Sequence, residues 1–192
     1  MMGLANGGAH FEARILLMTR KGSGDCAHRV AWKGRWVCLR ALRSDDAPRY
    51  ADFHAWLDPR RMDGSTFALL PVPEDMLVAA CRDGNVTVVA VLDDAAGALV
   101  GIARAKRCPN HKLANVAVAL RPDVEGQGLG RLLLGRLVTD CRAAGLLELA
   151  GETRVDNRKM IELAHAFRFV DIPCSVPGLV SFWLNLRQPL QD

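Results

Sequence analysis

Val118-Ala119-Leu120, Arg121 to Val124, and then Glu125-Gly126-Gln127-Gly128-Leu129-Gly130 form the stretch that decides the fold. Leu113 to Leu120, rich in Val and Ala, reads as a strand. From Gly128 onward the period changes: Leu129, Leu132, Leu133, Leu137, Cys141 and Ala144 make a helical stripe, and Gly145 offers a left-handed stop. The junction is therefore strand, glycine loop, helix. A helix N-terminus presents unpaired N–H groups and the positive end of the peptide dipole, so anions settle there. Gly126, Gly128 and Gly130 remove side chains where a backbone must come close to a pyrophosphate, and Arg131 can add a charge-assisted contact. Alone, such a loop also fits a flexible connector or a dinucleotide fold. The dinucleotide fold needs G-x-G-x-x-G at the first strand of a parallel sheet, with an acid about 20 residues on. Here the glycines alternate and the loop comes late, which suits no such domain.

On the N-terminal side, Val30-Ala31-Trp32, Lys33-Gly34 and Trp36 to Leu39 read as a hairpin. Ser44-Asp45-Asp46 offers caps for a helix through Tyr50, Phe53 and Leu57, stopped by Asp58-Pro59. A second helix is expected after Pro73, with Glu74 and Asp75 in its first turn. Val86 to Leu92 and Ala98 to Ala105 form an antiparallel pair around Asp93-Asp94. Beyond the long helix, Leu146 to Ala150 is a short buried strand. Asp156 or Asn157 caps a helix carrying Met160, Leu163, Ala164 and Phe167, and runs at Phe169–Ile172 and Leu179–Leu186 finish as strands. Strands first, then strand–helix–strand–helix–strand, imply an α+β fold: a mixed sheet with helices on its faces. Residues 29–192 are expected to form one domain. Residues 1–28, with glycines at 3, 7, 8, 22 and 24 and Phe11, Ile15 and Met18 at helical spacing, are expected to be an extension.

A chain of 192 residues can bury a substantial core, and its formal charge of +4 favours an anionic ligand without a basic, aromatic-laced tract for nucleic acid. The six cysteines are scattered with no Cys-x-x-Cys pair, which reads as reduced thiols in a cytoplasmic protein. Cys108 and His111 offer two metal ligands where a structural zinc needs four, so no metal is expected. No apolar run approaches the roughly 20 residues of a membrane span, and Ile15 to Met18 is too short for a signal core. No membrane partner is expected.

These motifs resemble the GNAT superfamily of N-acetyltransferases. There a strand leads into Q/R-x-x-G-x-G/A at the start of a long helix, and a later short strand precedes an asparagine that opens the next helix, which ends near Gly-Phe. Here the matching residues are Val118 to Leu120, Glu125 to Gly130, Leu146 to Ala150, Asn157, and Phe167-Arg168-Phe169. The likeness is closer to the acetyltransferase domain of bacterial Pat-type protein lysine acetyltransferases. Their Asn-x-x-Met-x-x-Leu-Ala helix matches Asn157, Met160, Leu163 and Ala164. Their hairpin and Asp-Ala helix match Leu39-Arg40 to Asp46-Ala47, and their centre matches Ala90-Val91 and Leu99 to Arg104. It spans about residues 30–186.

The resemblance implies a mostly antiparallel sheet whose fourth and fifth strands splay apart, with acetyl-CoA as co-substrate. The pantetheine arm would pair with Val118, Ala119 and Leu120 as an added strand, and the pyrophosphate would lie on Glu125, Gly126, Gln127, Gly128, Leu129, Gly130 and Arg131. Asn157 would reach the pantetheine arm or serve as a helix cap only. The acceptor would be an amine, a protein lysine if the Pat-type likeness carries over and a small amine if it does not. A homodimer is a further expectation of the same likeness.

The chain departs from the family at the chemistry. The Pat-type glutamate, in an Ala-Glu-x-Ala stretch, stands here as Asn115 in Ala114-Asn115-Val116-Ala117, and asparagine cannot take a proton. Asn115 is assigned to the acceptor side. The tyrosine that many family members use falls at Ala164, and the only tyrosine is Tyr50. Glu152 is the first candidate for a substitute base, against a reading as a solvated surface acid; Glu148 and Asp123 have no better case. Glu125 stands where Gln or Arg is usual and brings negative charge near a pyrophosphate. Arg168 stands where Gly is usual and is expected to take a left-handed conformation. Cys108 and Cys141 are nucleophiles only in principle, with Cys141 on the apolar stripe. Two functions follow: an N-acetyltransferase, or an acyl-CoA-binding sensor or interaction module with little catalysis.

Overall fold

The computed structural model describes residues 28–57, 84–109 and 112–187. The helices expected at Phe11 to Met18 and after Pro73, and His111, lie outside the described residues.

The opening hairpin is β1 (Arg29–Trp32) and β2 (Arg35–Ala41), joined by a turn in which Lys33 and Gly34 both take positive φ. A 3-10 turn at Ser44–Asp46 leads into α1 (Ala47–Ala55), which stops short of the expected Leu57. β3 (Val86–Leu92), β4 (Leu99–Arg107) and β5 (Leu113–Leu120) follow as an antiparallel meander. Then come α2 (Leu129–Ala143), β6 (Glu148–Arg154), α3 (Arg158–Ala166), β7 (Val170–Ile172) and β8 (Leu179–Asn185). The described residues form one eight-stranded sheet in the order β1-β2-β3-β4-β5-β6-β8-β7, antiparallel at every pairing except β5 with β6. The fold is α+β, a mixed and mostly antiparallel sheet with helices on both faces.

One face carries the larger core. Leu129, Leu133, Leu134, Leu137 and Val138 of α2 pack on Val88, Val100, Ala103, Val116 and Leu149, with Ala164 and Phe169 alongside. Ala144, expected on the stripe, is exposed one residue past the helix end. The other face carries a smaller core, in which Tyr50 and Phe53 of α1 cover Val89, Val91, Leu99 and Ile102. Coverage on both sides explains why β3 and β4 read as nearly unbroken apolar runs with no alternation. Gly101 is required between the layers, since a Cβ there would come within 2.7 Å of Leu120 and Leu133.

Both long-helix stops follow the backbone signals. After α2, Gly145 (φ 74°) donates to Arg142 and Leu146 to Cys141. After α3, Arg168 adopts φ 62°, donating to His165 while Phe169 donates to Ala164. This is the same double-bonded stop built with a residue that carries about 1 kcal/mol of left-handed strain.

Two expectations need correction. Asp46 does not cap α1 with its side chain. Its carboxylate is fully buried and takes two hydrogen bonds of 2.6 Å from Arg40 and one of 3.0 Å from the Arg43 amide, with Arg49 at 3.5 Å. The cysteines are not all thiols: Cys108, Cys141 and Cys174 are free, whereas Cys38 in β2 is disulfide-bonded.

Burial alone would raise the pKa of Asp46, but the hydrogen bonds from Arg40 and the Arg43 amide and the charges of Arg40 and Arg49 outweigh it. The carboxyl therefore titrates below its ordinary value. Its stabilisation is fully present above the unfolded pKa of about 3.9 and is lost as pH falls through the lowered folded value. Asp46→Ala leaves the Arg40 charge buried without its partner and should cost about 3–5 kcal/mol in urea denaturation at pH 7. The deficit relative to the parent should narrow below about pH 4. A deficit under about 1 kcal/mol at pH 7 would show that the pair contributes only as an exposed one does.

Candidate coenzyme site

β5 is flanked unequally. Against β4 it is paired along its length, from Ala114↔Arg107 to Leu120↔Gly101. Against β6 it is paired only at Leu113↔Glu148, Ala114↔Leu149 and Asn115↔Ala150. β6 instead stays with β8 throughout, from Glu148↔Asn185 to Arg154↔Leu179. Gly151 fixes that choice: a Cβ there would fall 2.3 Å from the Phe182 ring, so only glycine lets β8 lie this close. From Val116 to Leu120 the second edge of β5 consequently has no strand partner among the described residues. The splay falls between the fifth and sixth strands of this chain rather than the fourth and fifth, because the opening strand β1 adds one to the count.

The open edge runs directly into the glycine loop. Arg121 leaves β5, Pro122–Val124 makes a 3-10 turn with Val124 buried, and Glu125 leads into Gly126. Gly126 (φ 70°) and Gly128 (φ 88°) both need the left-handed region, and a Cβ on either would meet nothing within 4 Å. The space over the loop is open. Gly130 differs: it lies inside α2, where an added Cβ would make ordinary contact at 3.5 Å with Leu120 and Leu163. Neither space nor backbone conformation there requires glycine. Among the described residues, the amides of Gly126, Gln127, Gly128, Leu129 and Gly130 donate to no backbone acceptor, and the first helical bonds start at Arg131 and Leu132. Five donors, open space and the positive end of α2 fit a pyrophosphate. Arg131 stands exposed in the first turn.

Side chains hold the loop rigid. The indole Nε1 of Trp32, from β1, donates to the Gln127 carbonyl at 2.9 Å, and Gln127 Nε2 donates to the Asp123 carbonyl at 2.8 Å. Arg121 clamps Asp123 with two bonds of 2.9 and 2.5 Å and stacks over Trp56 at 5.0 Å. Glu125 is paired with Lys159 of α3 at 3.0 Å. Trp32 and Lys159 have no signal in the sequence, since each meets a partner far away in the chain.

Asn115 sits at the fork, the last β5 residue paired to β6, with Lys106 opposite it on β4. Its register partner Ala150 shares a face with Glu152 two residues on, so Asn115 and Glu152 lie on the side of the sheet away from α2. Glu152 is inside β6, not after it: the strand expected at Leu146 to Ala150 runs Glu148–Arg154, because β8 pairs the polar stretch Gly151 to Arg154. Glu152 is exposed and accepts from Ser181 Oγ at 3.1 Å; Glu148 accepts from Trp183 Nε1 at 3.4 Å. Asp123 is a poor base, because the Arg121 hydrogen bond holds its carboxyl below the usual range. Asn157 caps α3: its Oδ1 accepts from the Met160 amide at 3.3 Å and its Nδ2 donates to Thr153 Oγ1 at 2.9 Å. Tyr50 is buried in the smaller core with its hydroxyl pushed up to about 12 by burial, and Ala164 is buried in α3. Burial likewise pushes the Cys141 thiol up to about 12, which leaves it without nucleophilic character. Among the described residues no group of three or more His, Cys, Asp or Glu could hold a metal ion, and no helix is long and apolar enough to cross a membrane.

Residues 40–169 match the model of the acetyltransferase (GNAT) family. The chain belongs to the GNAT acetyltransferase family. As a GNAT protein it shares its fold with the GNAT domain of S. lividans PAT, at 17% identity over 82% of this chain and 95% of that one, with a TM-score of 0.66. The protein yncA of Salmonella typhimurium, solved with its cofactor acetyl-CoA, is 19% identical over 81% of this chain and 96% of its own, with a TM-score of 0.61. A ribosomal-protein-alanine N-acetyltransferase from Brucella melitensis is 18% identical over 77% and 98%, with a TM-score of 0.59. GNAT proteins carry out acetyl-CoA-dependent acetylation.

Acetyl-CoA at about 100 times its dissociation constant should add roughly 2.7 kcal/mol of stability, several degrees of Tm. Gly128→Asp puts a side chain at φ 88° and a negative charge against the free amides, so the thermal shift should vanish. A Gly128→Asp variant that binds as the parent does would remove the loop from the site.

Proposed function

We propose that this chain is an N-acetyltransferase that moves the acetyl group of acetyl-CoA to an amine by direct attack in a ternary complex. Residues 29–192 form the catalytic domain in this reading and residues 1–28 an extension. The observation that carries it is the unpaired β5 edge, Val116 to Leu120, leading straight into five undonated amides. Bound there, acetyl-CoA supplies the activated thioester. The backbone of Val118, Ala119 and Leu120 would align its arm as an added strand, Gly126 to Gly130 would hold the pyrophosphate with Arg131 adding charge, and Asn157 would wall the groove from the start of α3.

The acceptor amine would enter on the face that carries Asn115 and Glu152. A protein lysine is the acceptor favoured by the Asn157-Met160-Leu163-Ala164 likeness to Pat-type enzymes. With a pKa near 10.4, only about one lysine in a few thousand is neutral at pH 7, so a proton acceptor near the attacking nitrogen matters. Asn115 offers an amide that can orient the amine but not deprotonate it. Glu148 and Glu152 both lie on that face by strand alternation; Glu152, tethered by Ser181 and lying past the fork, is assigned as base.

A second reading is favoured by one specific residue. With Asn115 at the fork where the related pattern has glutamate, the site keeps its shape and loses its base, leaving a module that binds acyl-CoA with little turnover. General-base catalysis is worth about a hundredfold to ten-thousandfold. Asn115→Glu should therefore raise the rate at pH 7 on lysine peptides with little change in coenzyme affinity, and parental turnover should climb with pH. Glu152→Gln should lower parental turnover by at least tenfold if Glu152 is the base. Rates at background for parent and both variants, across peptide and small-amine acceptors, would decide for the binding module.

A further inference from the structure

Glu125 is the residue on which the loop is at odds with its ligand. It stands immediately before the amides that face the pyrophosphate, and a carboxylate about 8–10 Å from a phosphate charge, at an effective dielectric of about 20–35, weakens binding by about five- to thirtyfold. The structure answers this charge from across the groove. Lys159 Nζ donates to Glu125 Oε2 at 3.0 Å, joining residues 34 apart in sequence. Lys159 lies in the first turn of α3, whose start is fixed by the Asn157 cap and its bond to Thr153. One turn later Leu163 lies against Gly130, so this face of α3 is turned to the loop. The pair thus ties the β5–α2 side of the groove to the β6–α3 side at the point where an anionic coenzyme would pass.

We infer that Lys159 is a coenzyme-positioning residue acting through Glu125: it cancels the carboxylate's charge and holds the loop to α3, so that the amides of Gly126 to Gly130 meet phosphate without a competing anion. The inference rests on the coenzyme reading of this groove. The pair is largely solvent-facing, with the Lys159 side chain 65% exposed and that of Glu125 20%. Such pairs add little to folding, so the effect belongs in affinity rather than in stability.

The test is a double-mutant cycle read by calorimetric titration with coenzyme A. Lys159→Ala should weaken binding about five- to thirtyfold, and Lys159→Arg should keep parental affinity. Glu125→Gln should bind at least as tightly as the parent. The double variant should return to the Glu125→Gln value, since without the carboxylate the ammonium has nothing to cancel. The unliganded Tm of all four should stay within about 2 °C of the parent. S-acetylpantetheine, which lacks the phosphates, should show the same KM with parent and Lys159→Ala. Unchanged affinity in Lys159→Ala overturns the inference. So does a double variant as weak as Lys159→Ala, because Lys159 would then act on the ligand and not through Glu125. A parent that binds no coenzyme A overturns the site itself, an outcome distinct from both.

Discussion

The proposed coenzyme groove depends on β5 and β6 parting after Asn115 and Ala150. A parallel pair held for three residues and then abandoned leaves β5 with one satisfied edge and one open one in the middle of a sheet. Unpaired backbone donors and acceptors next to a core are costly unless something meets them. In the proposed function that something is the coenzyme, and the direction of the open edge is set because it runs straight into the N-terminus of α2. The same separation puts Asn115 at the fork, the glycine loop at one end, and the start of α3 along the far wall.

The fork is kept open by commitments on either side. β5 is held by β4 over seven register pairs, and the large core locks that pair to α2. β6 is held by β8, with Gly151 giving way to the Phe182 ring, which stacks edge-on against Phe169 at 5.4 Å. The loop at the head of the fork is no flexible connector. Trp32, Gln127, the Arg121–Asp123 clamp and the Glu125–Lys159 pair each fix one of its residues. A cradle already in its binding geometry spends little ordering entropy on its ligand.

The parts legible in the sequence were those governed by local backbone physics. The Leu113–Leu120 strand, the glycine loop, the helix that follows, the stop at Gly145 and the cap at Asn157 each announce themselves through residue type and spacing within a few positions, whereas the left-handed Arg168 was expected only from the family resemblance. What escaped depends on tertiary partners. The expected strand ends at Ala150, yet β8 pairs Gly151 to Arg154 into it as well. Asp46 reads as a helix cap, yet its carboxylate turns to Arg40 because burial makes a charged partner worth more than an amide. Cys38 reads as a thiol, since no Cys-x-x-Cys spacing marks it for pairing. Trp32 reaches Gln127 over 95 residues, and Lys159 reaches Glu125 over 34. Within the proposed site, the strand, glycine loop and helix were readable because local backbone geometry makes them. The catalytic half was not, because it turns on which side chains share a face, and only the β5–β6 register puts Asn115 and Glu152 together.

The central claim is that the open β5 edge and the adjoining loop amides together take the coenzyme. Amide hydrogen–deuterium exchange with and without acetyl-CoA reads those groups directly. The account predicts protection concentrated at Val116 to Leu120 and Gly126 to Gly130, with the first turn of α3 following. β1, β2 and the β7–β8 edge should be unchanged. Exchange at Val116 to Leu120 that stays as fast with acetyl-CoA as without it, while the ligand demonstrably binds, would contradict it.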